Sequence, residues 1–517
     1  MANFIPYDYN QNTMVVINFE EQIQPGTFEH AIHYLIHERL DLSIFQPKYK
    51  NDDCGRPAYD PAILLKIILF AYSRGITSSR EIQWCCETNI IFKALSCDTV
   101  PHFTTIASFV SSYPEAIEAL FEQIVLICDQ EGLIGNELFA IDGCKLPSNA
   151  AKEWSGTLDE LKHKRDKIRK QIRYCIKEHQ KLDRRRSDER ARAKRVAQTI
   201  ATLDNAYTKI DQFLKTASPR MGKAQQSKEV KSNITDNESA KMTTGKGTFQ
   251  GYNGIAAVDK KHQIIVEAQA YGEGQEYHTL QPVLASIRQR YQRLGLSDDI
   301  YQAGTVVTAD TGYANEANMQ FLRAENINAY VPDNQFRARD KRLAGQKQKY
   351  GPRHPGTAGR GEIFPANRFW FNAQAKSCVC PEGNAMWLHS ERQDAKGNAQ
   401  LNFEGRLTDC RRCPSKHQCM HNPEAADRPK GHGRQVRFTI KTQQSGTDWM
   451  RKRIDSKLGK AIYGHRMSVV EPVFGNITCN KGLNRFSLRG KKKVQGQWQL
   501  FCMIHNIEKI MRYGATQ

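Results

Sequence analysis

Apolar residues recur at helical spacing from Ala62 to Tyr72, directly after Asp60-Pro61, where the acid can cap and the proline fits a first helical turn. A second helix is expected after the hydroxyl-rich Thr77-Ser78-Ser79, burying Ile82 and Cys85, and a third along Pro101 to Phe109 with Thr104 or Thr105 as cap. Short helices joined by tight turns fit a helix-turn-helix reader of DNA and, equally, a plain helical packing domain. The period then changes. Glu137 to Leu146 reads as a short apolar strand with Asp142 at its rim, and Leu158 to Ala217 as two charged helices carrying Lys162-His-Lys-Arg165 and Arg184-Arg-Arg186. Residues 218–248, rich in Ser, Lys, Gly and Asn, read as a loop. Beyond it the pattern predicts a hairpin over Gly251–Tyr271, a helix over Tyr277–Leu294, a strand over Thr305–Gly312 that presents Asp310, a helix over Glu316–Glu325 and a strand over Asn328–Pro332.

Strand, hairpin, helix, strand, helix, strand is the order of a mixed α/β sheet with helices on its faces. The expected organisation is a helical region over 1–130 and an α/β core over 131–333 interrupted by a helical insertion at 155–248. A cysteine-rich insertion over 334–450 and a second part of the core over 451–517, ending in basic helices, complete it. The length, 517 residues, allows about three domains. The net charge of +20 attracts polyanions, which makes nucleic acid the first partner to consider. With 39% apolar residues the chain has material for packed cores, which excludes a disordered basic tail. The apolar run Ala62–Tyr72 contains Lys66 and is too short to cross a bilayer, and the first ten residues lack the features of a secretory signal. A cytoplasmic location follows as the expectation. There thiols stay reduced, so clustered cysteines are candidate metal ligands and not disulfides.

Two strand-end carboxylates, Asp142 and Asp310, fall where sheets of this kind bind ligands, and Glu471 is a third acid set among apolar residues. Converging acids are costly without cations. Two Mg²⁺ ions, about 3.5–4 Å apart, meet that need and stabilise the attacking and leaving oxygens of a phosphodiester displacement. Cys380, Cys410, Cys413 and Cys419 have the paired spacing of a structural zinc site, with Cys378 competing for the place of Cys380 and His417 or His421 as substitutes. This insertion is expected to hold little core of its own and to gain its folding free energy from Zn²⁺. The stretch from Lys481 to Lys493, with Arg485 and Arg489, reads as a phosphate-tracking surface. Trp370 and Trp387 are expected to pack, with base stacking as the alternative.

Four segments carry a family likeness: Gly55-Arg-Pro-Ala-Tyr-Asp-Pro to Phe109, Ala140-Ile-Asp-Gly-Cys-Lys-Leu to Lys152, Thr308-Ala-Asp-Thr-Gly-Tyr to Asn318, and Val470-Glu-Pro-Val-Phe-Gly to Gly490. The chain resembles the bacterial insertion-sequence DDE transposases on an RNase H-like fold, particularly the IS-eleven-eighty-two-like group with an InsH-type N-terminal domain. The resemblance implies that Asp142, Asp310 and Glu471 bind Mg²⁺ or Mn²⁺, two ions per site, and that Tyr463 and Arg466 contact DNA phosphate. It further implies terminal inverted repeats and target DNA as substrates, a homodimer that pairs two ends, and residence at the bacterial nucleoid. In this sequence Thr478 stands where relatives carry Lys, with Lys481 as a substitute, and Cys144 replaces a usual Thr. An inactive or domesticated DNA-binding derivative, and a nuclease without strand joining, are the alternatives at this stage.

Overall fold

The computed structural model describes residues 16–49, 57–183, 190–222, 228–245, 247–339, 363–394, 398–440 and 445–514. Gly55, Arg56, Arg184-Arg-Arg186 and parts of the expected loop and cysteine-rich insertion lie outside the described residues. The chain divides into two compact units, Met1–Val331 with Ser456–Gln517, and Pro332–Asp455.

In the larger unit, after short helices at Phe19–Gln22 and Phe28–Tyr34, come helices α1 (Pro61–Ser73), α2 (Ser79–Thr88), α3 (Ile90–Ser96), α4 (Phe103–Ser112) and α5 (Pro114–Gln130). Asp60 caps α1 as expected, through the amide of Ala62. Neither threonine caps α4. His102 does, its ring accepting from the Thr104 amide, a role the hydroxyl rule could not single out. These helices do not form a body apart from the core. They pack on the C-terminal helix, where Tyr72 stacks on Phe501 with ring centroids 5.0 Å apart.

The sheet is mixed. Its strands are β1 (Leu138–Pro147), β2 (Ala240–Thr244), β3 (Gly247–Asp259), β4 (Ile265–Tyr271), β5 (Val306–Ala309) and β6 (Ala329–Tyr330), in the order β2-β3-β1-β5-β6 with β4 also on β3. β1 runs antiparallel to β3 and parallel to β5, and β5 parallel to β6. This is the RNase H-like arrangement. The loop expected over 218–248 is in part strand: β2 pairs with β3 through Thr244↔Gly247, because alternating polar side chains suit an exposed edge as well as a loop.

Two charged helices, α6 (Leu158–Asp183) and α7 (Arg190–Thr216), leave the sheet between β1 and β2 as an antiparallel pair. Arg165 near the start of α6 meets Asp211 near the end of α7 at 3.2 Å. Helices α8 (Leu280–Arg293) and α9 (Glu316–Ala324) follow β4 and β5. The chain returns through α10 (Lys457–Gly464), α11 (Arg466–Gly475) and the long α12 (Lys491–Tyr513). α12 covers β4. Its Asn506 bonds both the amide and the carbonyl of Ile265, and Gln495 bonds the Ala270 amide and the Ala268 carbonyl. Side-chain amides thus satisfy a strand edge that would otherwise be open. Trp498 is fully buried against Gly254 and donates to the Ile255 carbonyl at 3.1 Å.

The Pro332–Asp455 unit is a five-stranded antiparallel meander of β7 (Trp370–Asn372), β8 (Ser377–Val379), β9 (Ala385–Gln393), β10 (Ala399–Gly405) and β11 (Gln435–Ile440). It has a core of its own, including Phe369, Cys378, Met386, Leu401, Phe403 and Val436. The expectation of little apolar packing is therefore corrected: period-2 strands spread their core residues thinly along the sequence. Trp370 and Trp387 are not packed in it; they are 65% and 45% exposed. Arg339 bridges Asp333 and Asp455 at 2.7 and 2.8 Å and so ties together the two chain ends of this unit.

Candidate active site

β1 and β5 run side by side in parallel register, with Ile141 opposite Ala309. One step further along that register brings Asp142 beside Asp310, so two acids 168 positions apart in sequence meet at one end of the sheet. Both strands reach this end because Leu138, Phe139, Ala140 and Ile141 are buried, as are Val307 and Ala309. Asp142 Oδ1 accepts from the Gly143 amide at 2.8 Å and Oδ2 pairs with the guanidinium of Arg466 at 2.6 Å. Burial pushes the Asp142 carboxyl above its ordinary range and Asp310 adds to the push, while Arg466 and the Gly143 amide oppose it.

Arg466 is buried, with its Nε unpartnered. It is turned to Asp142. Burial disfavours its charge, but Asp142, Tyr463 and Asp310 more than restore it. Tyr463 is half-buried on α10.

Glu471 sits on α11, five residues after Arg466. The buried face of that helix carries Arg466, Val469, Val470 and Val473, whereas Glu471 is exposed. Among the described residues no three Asp, Glu, His or Cys side chains close to a spacing that could hold a metal ion. The structure thus joins Asp142 to Asp310 and leaves Glu471 outside the pair.

A different acid is near both. Glu276, in a helical turn before α8, has a side chain only 12% exposed. Burial pushes its carboxyl up, and the charges of Asp142 and Asp310 push further, against Lys145 and a hydrogen bond from Asn253. Sequence reasoning passed over it because an acid just ahead of a helix reads as a partner for the helix dipole. Around it Tyr313 and Asn253 are fully buried, each with an oxygen that finds no partner. Cys144 lies close by. Burial and the Asp142 charge hold its thiol protonated, a state in which it can replace a small hydroxyl residue.

Lys481 is corrected. Its side chain is 2% exposed and forms an ion pair with Glu508 of α12, while Asn476 also bonds Glu508. Local charge density could not show that α12 covers this one lysine of the run. Arg485 and Arg489 are exposed and anchor the chain just past β1, through Ser148 O, Asn149 Oδ1 and Asn149 O. Thr478 turns its hydroxyl back to the Phe474 carbonyl at 2.7 Å.

In the Pro332–Asp455 unit, Cys380, Cys410, Cys413 and Cys419 line one cavity of about 30 Å³, room for a single small occupant. Burial raises the Cys410 thiol and takes Cys419 to about 11, and neighbouring cysteines raise both. Cys378 is not among them. It is a core residue whose Sγ meets Met386 Sδ at 3.7 Å. His417 and His421 are exposed and do not line the cavity.

Three family models match this chain. A Transposase domain (DUF772) covers residues 17–112, and two models described as Transposase DDE domain cover 211–375 and 379–511. The matched ranges take in Asp310 and Glu471 but stop short of Asp142. No curated protein matches at a level that carries an argument.

Proposed function

The chain belongs to the DDE transposases of bacterial insertion sequences, and from that premise we propose that it cuts and joins DNA at a site centred on Asp142 and Asp310. The observation that carries this reading is their juxtaposition at the end of two parallel strands, with a buried cation, Arg466, already held against Asp142. The family implies divalent metal ions, and the residues fit them: hard cations take oxygen ligands, and desolvated carboxylates stand here beside the orphaned amide oxygen of Asn253. Asp142 and Asp310 would hold Mg²⁺ or Mn²⁺, with Glu471 joining from α11 when DNA is bound. Two ions at the site would supply Lewis-acid stabilisation of the oxygens between which the phosphoryl group moves. The protein's own part is to orient. Arg466 balances the charge of Asp142, and its planar fork suits a non-bridging phosphate oxygen.

Several further assignments belong to this proposal. Tyr463, near Arg466, and Arg485 and Arg489, beside the stretch just past β1, would track phosphate, and the helices of 1–130 would bind the terminal inverted repeats. Two copies would pair two ends, acting at the nucleoid. No helix among the described residues is long and apolar enough to cross a membrane. In the Pro332–Asp455 unit we assign Cys380, Cys410, Cys413 and Cys419 to one structural Zn²⁺, on the strength of their shared cavity.

The test uses the full chain, Mg²⁺ and linear DNA bearing the element's ends. Asp310→Asn should lower cleavage by about 1000-fold, the upper range for loss of one electrostatic stabiliser, while binding in a mobility-shift assay is retained. Equal cleavage by that variant would overturn the site. A wild-type protein that cleaves without joining ends would restrict the reading to a nuclease.

A further inference from the structure

We infer that Glu276 is the third acidic group of the cation site, placed to hold the hydration shell of an ion bound by Asp142 and Asp310. The inference rests on the reading of those two aspartates as metal ligands and adds a residue that neither the family motif nor the sequence pattern supplies.

The first support is how Glu276 is placed. Its helical turn is tied to the stretch that follows Asp310: Asn315 Nδ2 and Asn318 Nδ2 both donate to the Tyr277 carbonyl, at 3.0 and 2.9 Å, and Asn318 also bonds the Tyr313 carbonyl at 2.8 Å. Gly312 leaves room for the carboxylate: a Cβ there would stand 2.5 Å from Glu276 Oε2. Hydrogen bonds thus tie the turn that carries Glu276 to the stretch after Asp310.

The second support is how poorly Glu276 is compensated. Lys145 Nζ lies 3.9 Å from Oε1, at the outer limit of an ion pair and beyond hydrogen-bond range, and is itself 31% exposed. A carboxylate this desolvated, facing two more, calls for a stronger cation than that lysine.

The third support is Asn253, which is fully buried. Its Nδ2 donates to Glu276 Oε1 at 3.1 Å, while its Oδ1 has no partner and lies against Gly143, where a Cβ would be only 2.7 Å away. An orphaned acceptor and a carboxylate thus stand side by side next to Asp142. Both await a donor. Mg²⁺ is commonly held by one or two carboxylates and keeps several waters, each polarised into a strong donor. Water on the ion can satisfy Glu276 and Asn253 together, without Glu276 reaching the metal. This agrees with the absence of a direct three-acid metal site among the described residues.

The experiment is a Mn²⁺ titration of the full chain without DNA, reading free Mn²⁺ by electron paramagnetic resonance, with circular dichroism to verify folding. Asp310→Asn should lose Mn²⁺ binding. Glu276→Gln should weaken it about 10–100-fold, as loss of an outer-shell partner does. Wild-type affinity in folded Glu276→Gln, with binding lost in Asp310→Asn, refutes the role of Glu276 and leaves the site reading standing. Wild-type affinity in Asp310→Asn refutes the site reading itself. Should Glu276→Gln fail to fold, Glu276→Asp keeps the charge but withdraws it by one methylene; weakened Mn²⁺ binding is expected, and unchanged binding is refutation. Lys145→Met separates cation-holding from a structural pair: binding retained or tightened supports the inference, whereas a loss equal to that of Glu276→Gln reassigns Glu276 to a partner of Lys145.

Discussion

The carboxylates around Asp142 and the cysteines lining the cavity of the Pro332–Asp455 unit are the two places proposed for divalent cations, and the fold treats their charge in opposite ways. Around Asp142 burial pushes the carboxyls of Asp142 and Glu276 up, and the fold sets a cation of its own, Arg466, against Asp142 while leaving the Asn253 oxygen short of a donor. Around Cys410 and Cys419 burial raises the thiols, so these two wait as neutral groups that need no counter-ion. An oxygen site of the first kind is electrostatically loaded before metal arrives. A sulfur site of the second kind acquires its charge in the act of binding, and metal affinity there becomes folding free energy.

Removing the internal counter-ion is the strongest test of that contrast. Arg466→Ala strands Asp142 in a desolvated site, which should cost about 3–5 kcal/mol of stability at neutral pH. Mn²⁺ should restore part of it. The loss should also shrink as pH falls and Asp142 takes up a proton. Urea unfolding across pH, with and without metal, measures both, and a loss indifferent to pH and metal would mean that Arg466 serves packing alone.

Next in size is the sulfur site. About one Zn²⁺ per chain is expected, lost together with part of the Pro332–Asp455 fold in Cys410→Ser. Because Cys410 and Cys419 bind protonated at neutral pH, each must release a proton, and zinc affinity should rise about 100-fold per pH unit from these two alone. Chelator competition at several pH values reads the slope; a flat profile would show that the thiols are already ionised.

The smallest effect concerns Glu276. A carboxyl whose folded pKa is raised stabilises the fold when protonated, and that contribution is lost as pH rises through the raised value. At neutral pH Glu276→Gln should therefore raise the melting temperature of the metal-free protein by about 1–2 °C, with the gain vanishing in acid. A lower melting temperature at neutral pH would indicate that the Lys145 contact outweighs desolvation.

Much of this was legible in the sequence. Asp60-Pro61 announced its helix, the short apolar runs before Asp142 and Asp310 announced strands that end on acids, and the charged stretch announced a helix pair. The failures have two causes. The core within the cysteine-rich unit and Lys481 beneath α12 depend on partners far along the chain, whereas His102 as a cap and β2 in place of loop rest on neighbours a few residues away that the residue-type rules rank too low. Local composition does not record the distant partners.

By itself the sequence determined which segments become helix or strand and where their charged ends fall, because an element's periodicity is fixed by the one face it must bury. Only the tertiary structure decided which charges become neighbours. Asp142 meets Asp310 through strand register, Arg466 joins them through the seat of α11, and Glu276 comes near through two asparagines and a glycine. Electrostatic coupling falls off over a few ångströms of space whatever the separation along the chain, so the acids that matter at this site are chosen by folding and not by motif.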